Sequence, residues 1–166
     1  MTNFLVKYFK NKRNTKKGKY KKEKNKIGVI YEKGNIPYLK VKIGNKQFYL
    51  MIDTGASTSV LDTSVLEYLR TTDFPLCLLT SDKVVAGFGE EQEVQVYEVP
   101  ILIEERLFFT NISFTNLSII EHIKSEYSLD IKGVLGYDFF EKYNCILNFY
   151  NKKLYGLFSN KKSETI

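Results

Sequence analysis

The sequence predicts a mainly β domain, and three neighbouring features of the first third of the chain carry this prediction. Residues 38–43 alternate apolar with basic side chains, which is the pattern of a half-exposed strand. Residues 44–46, Gly-Asn-Lys, then favour a turn. The following run, residues 47–52, becomes apolar and stops abruptly at Asp53, as expected for a buried strand that ends in a loop. The two strands are predicted to form a hairpin that places a carboxylate at the end of a core strand.

The rest of the chain predicts further short strands with one or two short helices between them. Ser64 and Glu67 fit a capping box, which predicts a helix that runs through Leu69. Residues 117–132 are ambiguous, because their pattern fits a strand end, a helical turn or a loop. The other predicted elements are strands at residues 27–31, 96–103, 107–114, 134–136, 145–149 and 154–158, a long hairpin at residues 82–97 and a helix at residues 137–143.

Length and composition indicate one soluble domain. The chain has 166 residues, of which 43% are hydrophobic, enough to bury a single core. No apolar stretch approaches the length that crosses a membrane, and the longest early apolar run, residues 4–6, is too short for a signal peptide. We therefore expect a cytoplasmic protein. Cys77 and Cys145 lie in apolar surroundings without Cys-x-x-Cys spacing, so we expect buried free thiols in a reducing compartment.

Positive charge is concentrated at the start of the chain. Residues 1–26 contain 11 Lys or Arg residues and one acid, Glu23, whereas the remainder has 14 basic and 18 acidic residues. Such a segment repels itself and has little to bury, so it is predicted to be disordered. Two interpretations are open: the segment contacts nucleic acid or an anionic membrane surface, or it is only a solvated leader. We favour the solvated leader, because no nucleic-acid motif accompanies the basic residues. The predicted division is a leader over residues 1–26, a folded domain over residues 27–158 and a C-terminal tail over residues 159–166.

The residues that could take part in catalysis lie around Asp53. The next four residues, Thr-Gly-Ala-Ser, suit a loop whose backbone approaches a side chain, although Asp-Thr-Gly is also an ordinary turn or helix-start signal. A carboxylate at the end of a core strand must be hydrogen-bonded, paired or partly protonated, which is the condition in which carboxylates do acid/base chemistry. Far downstream, residues 133–140 read Gly-Val-Leu-Gly-Tyr-Asp-Phe-Phe. Together, the apolar-Asp-Thr-Gly-Ala loop and this apolar-apolar-Gly element resemble the retroviral-type, or retropepsin-like, aspartic protease family over most of residues 27–158.

This resemblance implies an acid-protease barrel and an aspartic endopeptidase that needs neither a metal nor an organic cofactor. Asp53 would be the catalytic residue, and Gly55 would donate an amide hydrogen bond to its carboxylate. Thr54 would bind the opposite subunit's loop through its hydroxyl, and Ala56 is the retroviral-like residue at its position. Gly136 would belong to the element that packs beneath the Asp53 loop.

The tip of the 82–97 hairpin has two possible interpretations. Ala86, Gly87, Phe88 and Gly89 form this tip, and the pattern alone indicates a simple surface hairpin. In the family that the chain resembles, a glycine-containing hairpin downstream of the aspartate loop is the flap that closes over a bound peptide. The resemblance therefore implies that these four residues contact the substrate.

The number of suitable acids bears on the mechanism. Carboxylate catalysis of peptide hydrolysis uses two acids that face one water, and no other Asp in the chain is followed by Thr-Gly or Ser-Gly. A two-fold homodimer would supply a second Asp53, and the substrate would be an extended peptide or polyprotein. Two alternatives stay open: a catalytically silent peptide-binding or dimerisation module of the same fold, and a nucleic-acid-associated protein that acts through its basic tail. His122, the only histidine, is expected at the surface, and nothing else supports a zinc site or a Ser-His-Asp triad.

Overall fold

The computed structural model describes residues 25–85 and 91–156. Within these ranges the chain forms eleven strands and three short helices. The strands are β1 (Lys26–Val29), β2 (Tyr31–Lys33), β3 (Ile36–Ile43), β4 (Lys46–Ile52), β5 (Val60–Asp62), β6 (Cys77–Val85), β7 (Glu91–Ile103), β8 (Arg106–Thr115), β9 (Ile131–Leu135), β10 (Cys145–Asn148) and β11 (Lys153–Gly156). The helices are α1 (Thr63–Thr71), α2 (Ser118–Tyr127) and α3 (Tyr137–Lys142).

Eight of these strands form one sheet that closes on itself. Their order is β2-β3-β4-β9-β5-β8-β7-β6, and Lys42 of β3 also pairs with Leu102 of β7. This extra pairing joins the two ends of a run of six strands, which confirms the expected mainly β barrel. The strands β1, β11 and β10 form a separate sheet in that order. Within the barrel, β4 and β9 are parallel, and Ile52 pairs with Leu135, so both strands end at the same edge.

Side-chain alternation along β4 separates two apolar clusters. Phe48, Leu50 and Ile52 belong to the larger cluster, hereafter the main core, whereas Tyr49 and Met51 pack against the smaller one, hereafter the second cluster. Burying a large apolar side chain contributes about 1.5–3 kcal/mol, so the strand that leads to Asp53 is held on both faces. The main core also includes Leu39, Leu61, Leu135 and Phe139, and the second cluster also includes Val60, Leu117, Ile120, Ile123 and Ile131.

Two local features differ from the sequence predictions, and one ambiguous segment is resolved. The strand β5 is not predicted, because its three residues, held between β8 and β9, are too few to show a period. Helix α1 is capped by Asp62, whose side chain accepts a hydrogen bond from the Ser64 N–H at 3.0 Å, so the prediction of Ser64 as the cap is wrong. The ambiguous segment contains α2. No helix in the described ranges has the length and apolar character needed to cross a membrane.

The two cysteines differ in exposure. Cys77 is exposed because it begins β6, the outermost strand of the large sheet, so the expectation of a buried thiol is wrong there. Cys145 is partly buried, and desolvation raises the pKa of its thiol to about 12. The two thiols should therefore differ in reactivity, since the thiolate is the reactive form.

Candidate active site

Asp53 directly follows β4, at the edge where β4 and β9 end together. Its N–H donates to the carbonyl oxygen of Leu135 at 3.1 Å, which extends the contact between the two strands. The chain then turns, and the Ala56 N–H donates to the Asp53 carbonyl oxygen at 3.2 Å. Within this turn, the Gly55 N–H donates to Asp53 Oδ1 at 2.9 Å. A backbone amide that binds a carboxylate oxygen fixes the orientation of that side chain.

The turn after Asp53 is bonded to the start of α3. The Tyr137 N–H donates to the Ala56 carbonyl oxygen at 2.7 Å, and the Asp138 N–H donates to the Ser57 carbonyl oxygen at 3.3 Å. Gly136 lies between the two segments, and a methyl group there would come within 2.6 Å of the Thr58 carbonyl group. Because the backbone cannot be compressed to this distance, position 136 has room for glycine alone. The element therefore packs against the aspartate loop.

A buried hydroxyl joins the same two segments a second time. Ser59 is only 1% exposed, and its Oγ donates to Asp138 Oδ1 at 2.7 Å while it accepts from the Gly136 N–H at 3.0 Å. Reasoning from the sequence missed Ser59 and Asp138. The sequence feature that could have indicated Ser59 is its position as a hydroxyl residue at the end of a loop of small residues, directly before an apolar strand. Such a hydroxyl needs a hydrogen-bond partner when buried, but the local pattern does not identify a partner 79 residues away.

The match to a known family covers these same segments. A sequence model of the aspartyl protease family matches residues 39–139, more than half of the chain, and this range contains Asp53, Ser59 and Gly136. The chain belongs to the aspartyl protease family. A comparison with curated proteins found no match.

The solved structures give independent support for the fold of this aspartyl protease family member. The crystal structure of a retropepsin-like aspartic protease from Rickettsia conorii matches with a TM-score of 0.50 and 16% sequence identity. The match covers 76% of this chain and 86% of that chain. The chain therefore has the retropepsin-like fold that its two motifs suggest.

This aspartyl protease fold brings part of the predicted site together. Asp53, Gly55, Ala56 and Gly136 meet in the hydrogen-bonded loop and helix start, and the predicted amide bond from Gly55 is present. Thr54 is exposed on the same loop, where its contact with an opposite subunit stays a prediction. The four predicted flap residues, 86–89, lie outside the described residues. The substrate-binding role of that tip therefore also stays a prediction.

The single histidine lies on the surface of α2. The His122 side chain is largely exposed, and its Nε2 lies 3.0 Å from Glu126 Oε2, one helical turn further on. The expectation of a surface histidine is confirmed. This pairing is an ordinary contact between residues four apart on a helix face.

The Asp53 carboxylate is oriented but not enclosed. Oδ1 accepts the Gly55 amide, while Oδ2 accepts no hydrogen bond from the described residues. Asp53 itself is partly buried, and Thr54, Gly55 and Ser57 around it are exposed. A carboxylate with one fixed oxygen and one open oxygen can accept a proton or face a second carboxyl group.

Proposed function

We propose that this chain is an aspartic endopeptidase in which two Asp53 carboxyl groups, one from each subunit of a homodimer, activate one water molecule to cleave an extended peptide. The observation that carries the proposal is the Asp53 carboxylate, held by the Gly55 amide in a loop that is itself bonded to β9 and α3. Membership of the aspartyl protease family supports this chemistry. A rigid loop also supports it, because a misplacement of about 1 Å can cost about 100-fold in rate.

The proposed reaction needs the two carboxyl groups in different protonation states. The ionised group takes a proton from the water as the water oxygen attacks the scissile carbonyl carbon, and the protonated group donates a hydrogen bond to the carbonyl oxygen. The tetrahedral intermediate collapses as the leaving nitrogen receives a proton and the C–N bond breaks, which leaves one proton on the pair. Like charges at close range resist double ionisation, so the two Asp53 groups share that proton. The Gly55 amide holds Oδ1 and leaves Oδ2 for the water.

A second copy of the chain is proposed as the source of the second carboxyl group. An isologous interface brings the same residue to the two-fold axis from both subunits, and the exposed loop around Asp53 leaves space for that approach. The strand β10 is a suitable part of the interface, because no described strand pairs with its outer edge and its Ile146 is exposed. Phe149 and Tyr150, just after β10, are also exposed. A free apolar strand edge favours pairing with another chain.

Digestion of a peptide library by the purified chain tests the function, beside Asp53→Asn and a matched control, Asp73→Asn. Asparagine keeps the shape of aspartate and can still accept the Gly55 amide, but it cannot take a proton from water. Asp73 is exposed and has a φ of 49°, a conformation that asparagine tolerates. We expect Asp53→Asn to abolish cleavage and Asp73→Asn to leave it unchanged.

Each alternative outcome has a definite meaning. Cleavage by Asp53→Asn at the wild-type rate would remove Asp53 from the mechanism. A wild-type chain that binds library peptides but cleaves none would be a catalytically silent peptide-binding module of the same fold.

A further inference from the structure

A groove opens on the surface of the barrel between β2 and β7. Tyr38 of β3 pairs with β2 and Lys42 of β3 pairs with β7, whereas residues 39–41 pair with β4 on one side and with no described strand on the other. The groove therefore exists because β3 changes neighbours along its length, and it has a volume of about 290 Å³. Among the residues that line it are Tyr31, Lys40, Lys42, Gln47, Leu102 and Glu104.

Two lysines of β3 bring positive charge to this groove. Lys40 and Lys42 alternate with residues of the main core, so both side chains lie on the opposite face of the strand. Lys40 Nζ lies 4.1 Å from the centre of the Tyr31 ring, and Tyr31 in turn stacks on Tyr38 with 5.7 Å between the ring centres. An aromatic ring attracts and orients an ammonium group but does not neutralise its charge. Lys40 is thus positioned and keeps its positive charge.

The carboxylates of the described residues do not balance these two charges. Glu104 is the acid that lines the groove, and Lys26 Nζ already lies 3.0 Å from its Oε1. Neither Lys40 nor Lys42 forms an ion pair within the part of the chain that the structure describes. The groove therefore carries a net positive charge.

The basic leader joins the folded domain beside this groove. Lys26, which is paired with Glu104, is the first residue of β1. Residues 1–25 precede it and contain ten Lys or Arg residues and one acid, Glu23. Because like charges repel, the leader itself is a poor occupant of the groove, whereas a polyanion is attracted to both. Folding thus brings together two basic features that are separate in the sequence.

We propose that the groove binds single-stranded nucleic acid, with Lys40 and Lys42 on successive phosphates and the leader on further ones. The two lysines are two residues apart on one strand, so their Cα atoms lie about 6.8 Å apart, which is close to the spacing of successive phosphates in an extended single strand. Tyr31 and Gln47 add a hydroxyl and an amide group that can bind sugars or base edges. A positive groove that follows the phosphate backbone is a general mode of single-strand binding.

The shape of the site argues against two other anionic partners. Lys40 and Lys42 are partly buried in a recess, so a flat anionic bilayer would contact the rims of the groove rather than the two ammonium groups. A nucleic-acid duplex is stiff, with a persistence length of about 150 base pairs for DNA, and cannot bend into a recess of this size. A flexible single strand can enter it.

The groove is separate from the proposed catalytic loop. Gln47 lies six residues before Asp53 on β4, so about 20 Å of strand separates the two. A strand bound in the groove leaves the Asp53 loop open. The inference therefore does not depend on the proposed proteolytic function.

Fluorescence anisotropy of a labelled oligouridine, about 20 nucleotides long, measures binding by the full chain over a range of salt concentrations. Each lysine that neutralises one phosphate of a single strand contributes about 0.7 to the slope of log K against log salt concentration. Lys40→Gln/Lys42→Gln should therefore reduce the slope by about 1.4 and, at about 0.1 M salt, weaken binding by about 25-fold. Each single variant should weaken it by about fivefold. Lys40→Arg/Lys42→Arg keeps both charges and should bind at least as tightly as wild type.

Lys124→Gln/Lys132→Gln is the matched control, because it removes the same charge outside the groove. Both lysines face Asp130, and neither lines the groove. At about 0.1 M salt, charges more than about 10 Å from the bound strand are largely screened, so we expect an affinity within about threefold of wild type. Circular dichroism of each variant verifies that the fold is retained.

Three kinds of outcome would overturn the proposal. The first is that the wild-type chain does not bind the oligouridine. The second is equal affinity of Lys40→Gln/Lys42→Gln and the control, which would show that the groove does not contact the strand. The third is equal or tighter binding of a duplex of the same length, of polyglutamate of the same charge, or of vesicles of phosphatidylcholine and phosphatidylserine, because the groove would then serve another partner. Proteolysis by Asp53 is measured separately and is unaffected by each of these results.

Discussion

Replacement of the buried Ser59 by alanine should loosen the Asp53 loop and lower stability together. The Ser59 hydroxyl accepts from the Gly136 N–H at 3.0 Å and donates to the Asp138 carboxylate at 2.7 Å. Alanine leaves the Gly136 amide without this partner, which costs about 1–3 kcal/mol, and it removes a charge-assisted bond worth about 1.5–3 kcal/mol. Because Asp138 is only partly buried and water can replace part of that bond, we expect the free energy of unfolding to fall by about 2–4 kcal/mol.

Denaturant unfolding at one protein concentration measures this loss, with two further variants for comparison. Ser59→Thr keeps the hydroxyl and should retain most of the stability. Ser57→Ala changes an exposed serine of the same loop and should stay within about 0.5 kcal/mol of wild type. We expect kcat to fall by about tenfold or more in Ser59→Ala, because Asp53 is then less well placed. A Ser59→Ala protein as stable as Ser57→Ala would show that these two hydrogen bonds do not hold the loop.

Three further predictions follow from the site and its surroundings. Gly136→Ala should lower the free energy of unfolding by about 1–3 kcal/mol in denaturant, because the added methyl group would lie 2.6 Å from the Thr58 carbonyl. Gly55→Ala should lower it less, because that methyl group would lie 3.2 Å from Asp53 Oδ1 alone, and equal losses of stability in the two variants would argue against this packing. Burial raises the pKa of Cys145 to about 12, so at pH 8 a thiol reagent should label Cys77 much faster than Cys145 in the native protein. Equal labelling rates of the native protein would contradict this. Peptide cleavage should be fastest on the acid side of neutrality, because the carboxyl pair must hold one proton, and kcat/KM that rises steadily to alkaline pH would exclude that requirement.

The sequence predicts the parts of the fold that depend on near neighbours. The β3–β4 hairpin follows from the alternation over residues 38–43 and from Gly44, whose φ of 60° suits the turn that glycine favours. The start of α3 after Gly136 follows from the apolar-apolar-Gly pattern. In each case the signal lies within a few residues of the element that it predicts. Local pattern is sufficient there, because the neighbours in sequence are also the neighbours in space.

The parts that the sequence does not predict depend on distant partners. The hydrogen bond between Ser59 and Asp138 joins two segments that are far apart in the chain, and the pairing of β5 with β8 also joins distant segments. At the start of α1, both Asp62 and Ser64 are good capping residues, and local pattern alone cannot decide between them. Helix α2 is ambiguous in sequence because its apolar residues bury themselves against a sheet face that forms only on folding.

Each active site, as proposed, takes one Asp53 from each of two chains, and a mixing experiment tests this most directly. Wild-type chain is mixed with increasing Asp53→Asn chain under conditions in which subunit exchange is verified separately. With a ninefold excess of Asp53→Asn and random pairing, about one-tenth of the wild-type chains pair with another wild-type chain. We predict that activity per wild-type chain falls to about one-tenth. Activity that stays proportional to the amount of wild-type chain would contradict the shared site, because each subunit would then hold a complete one.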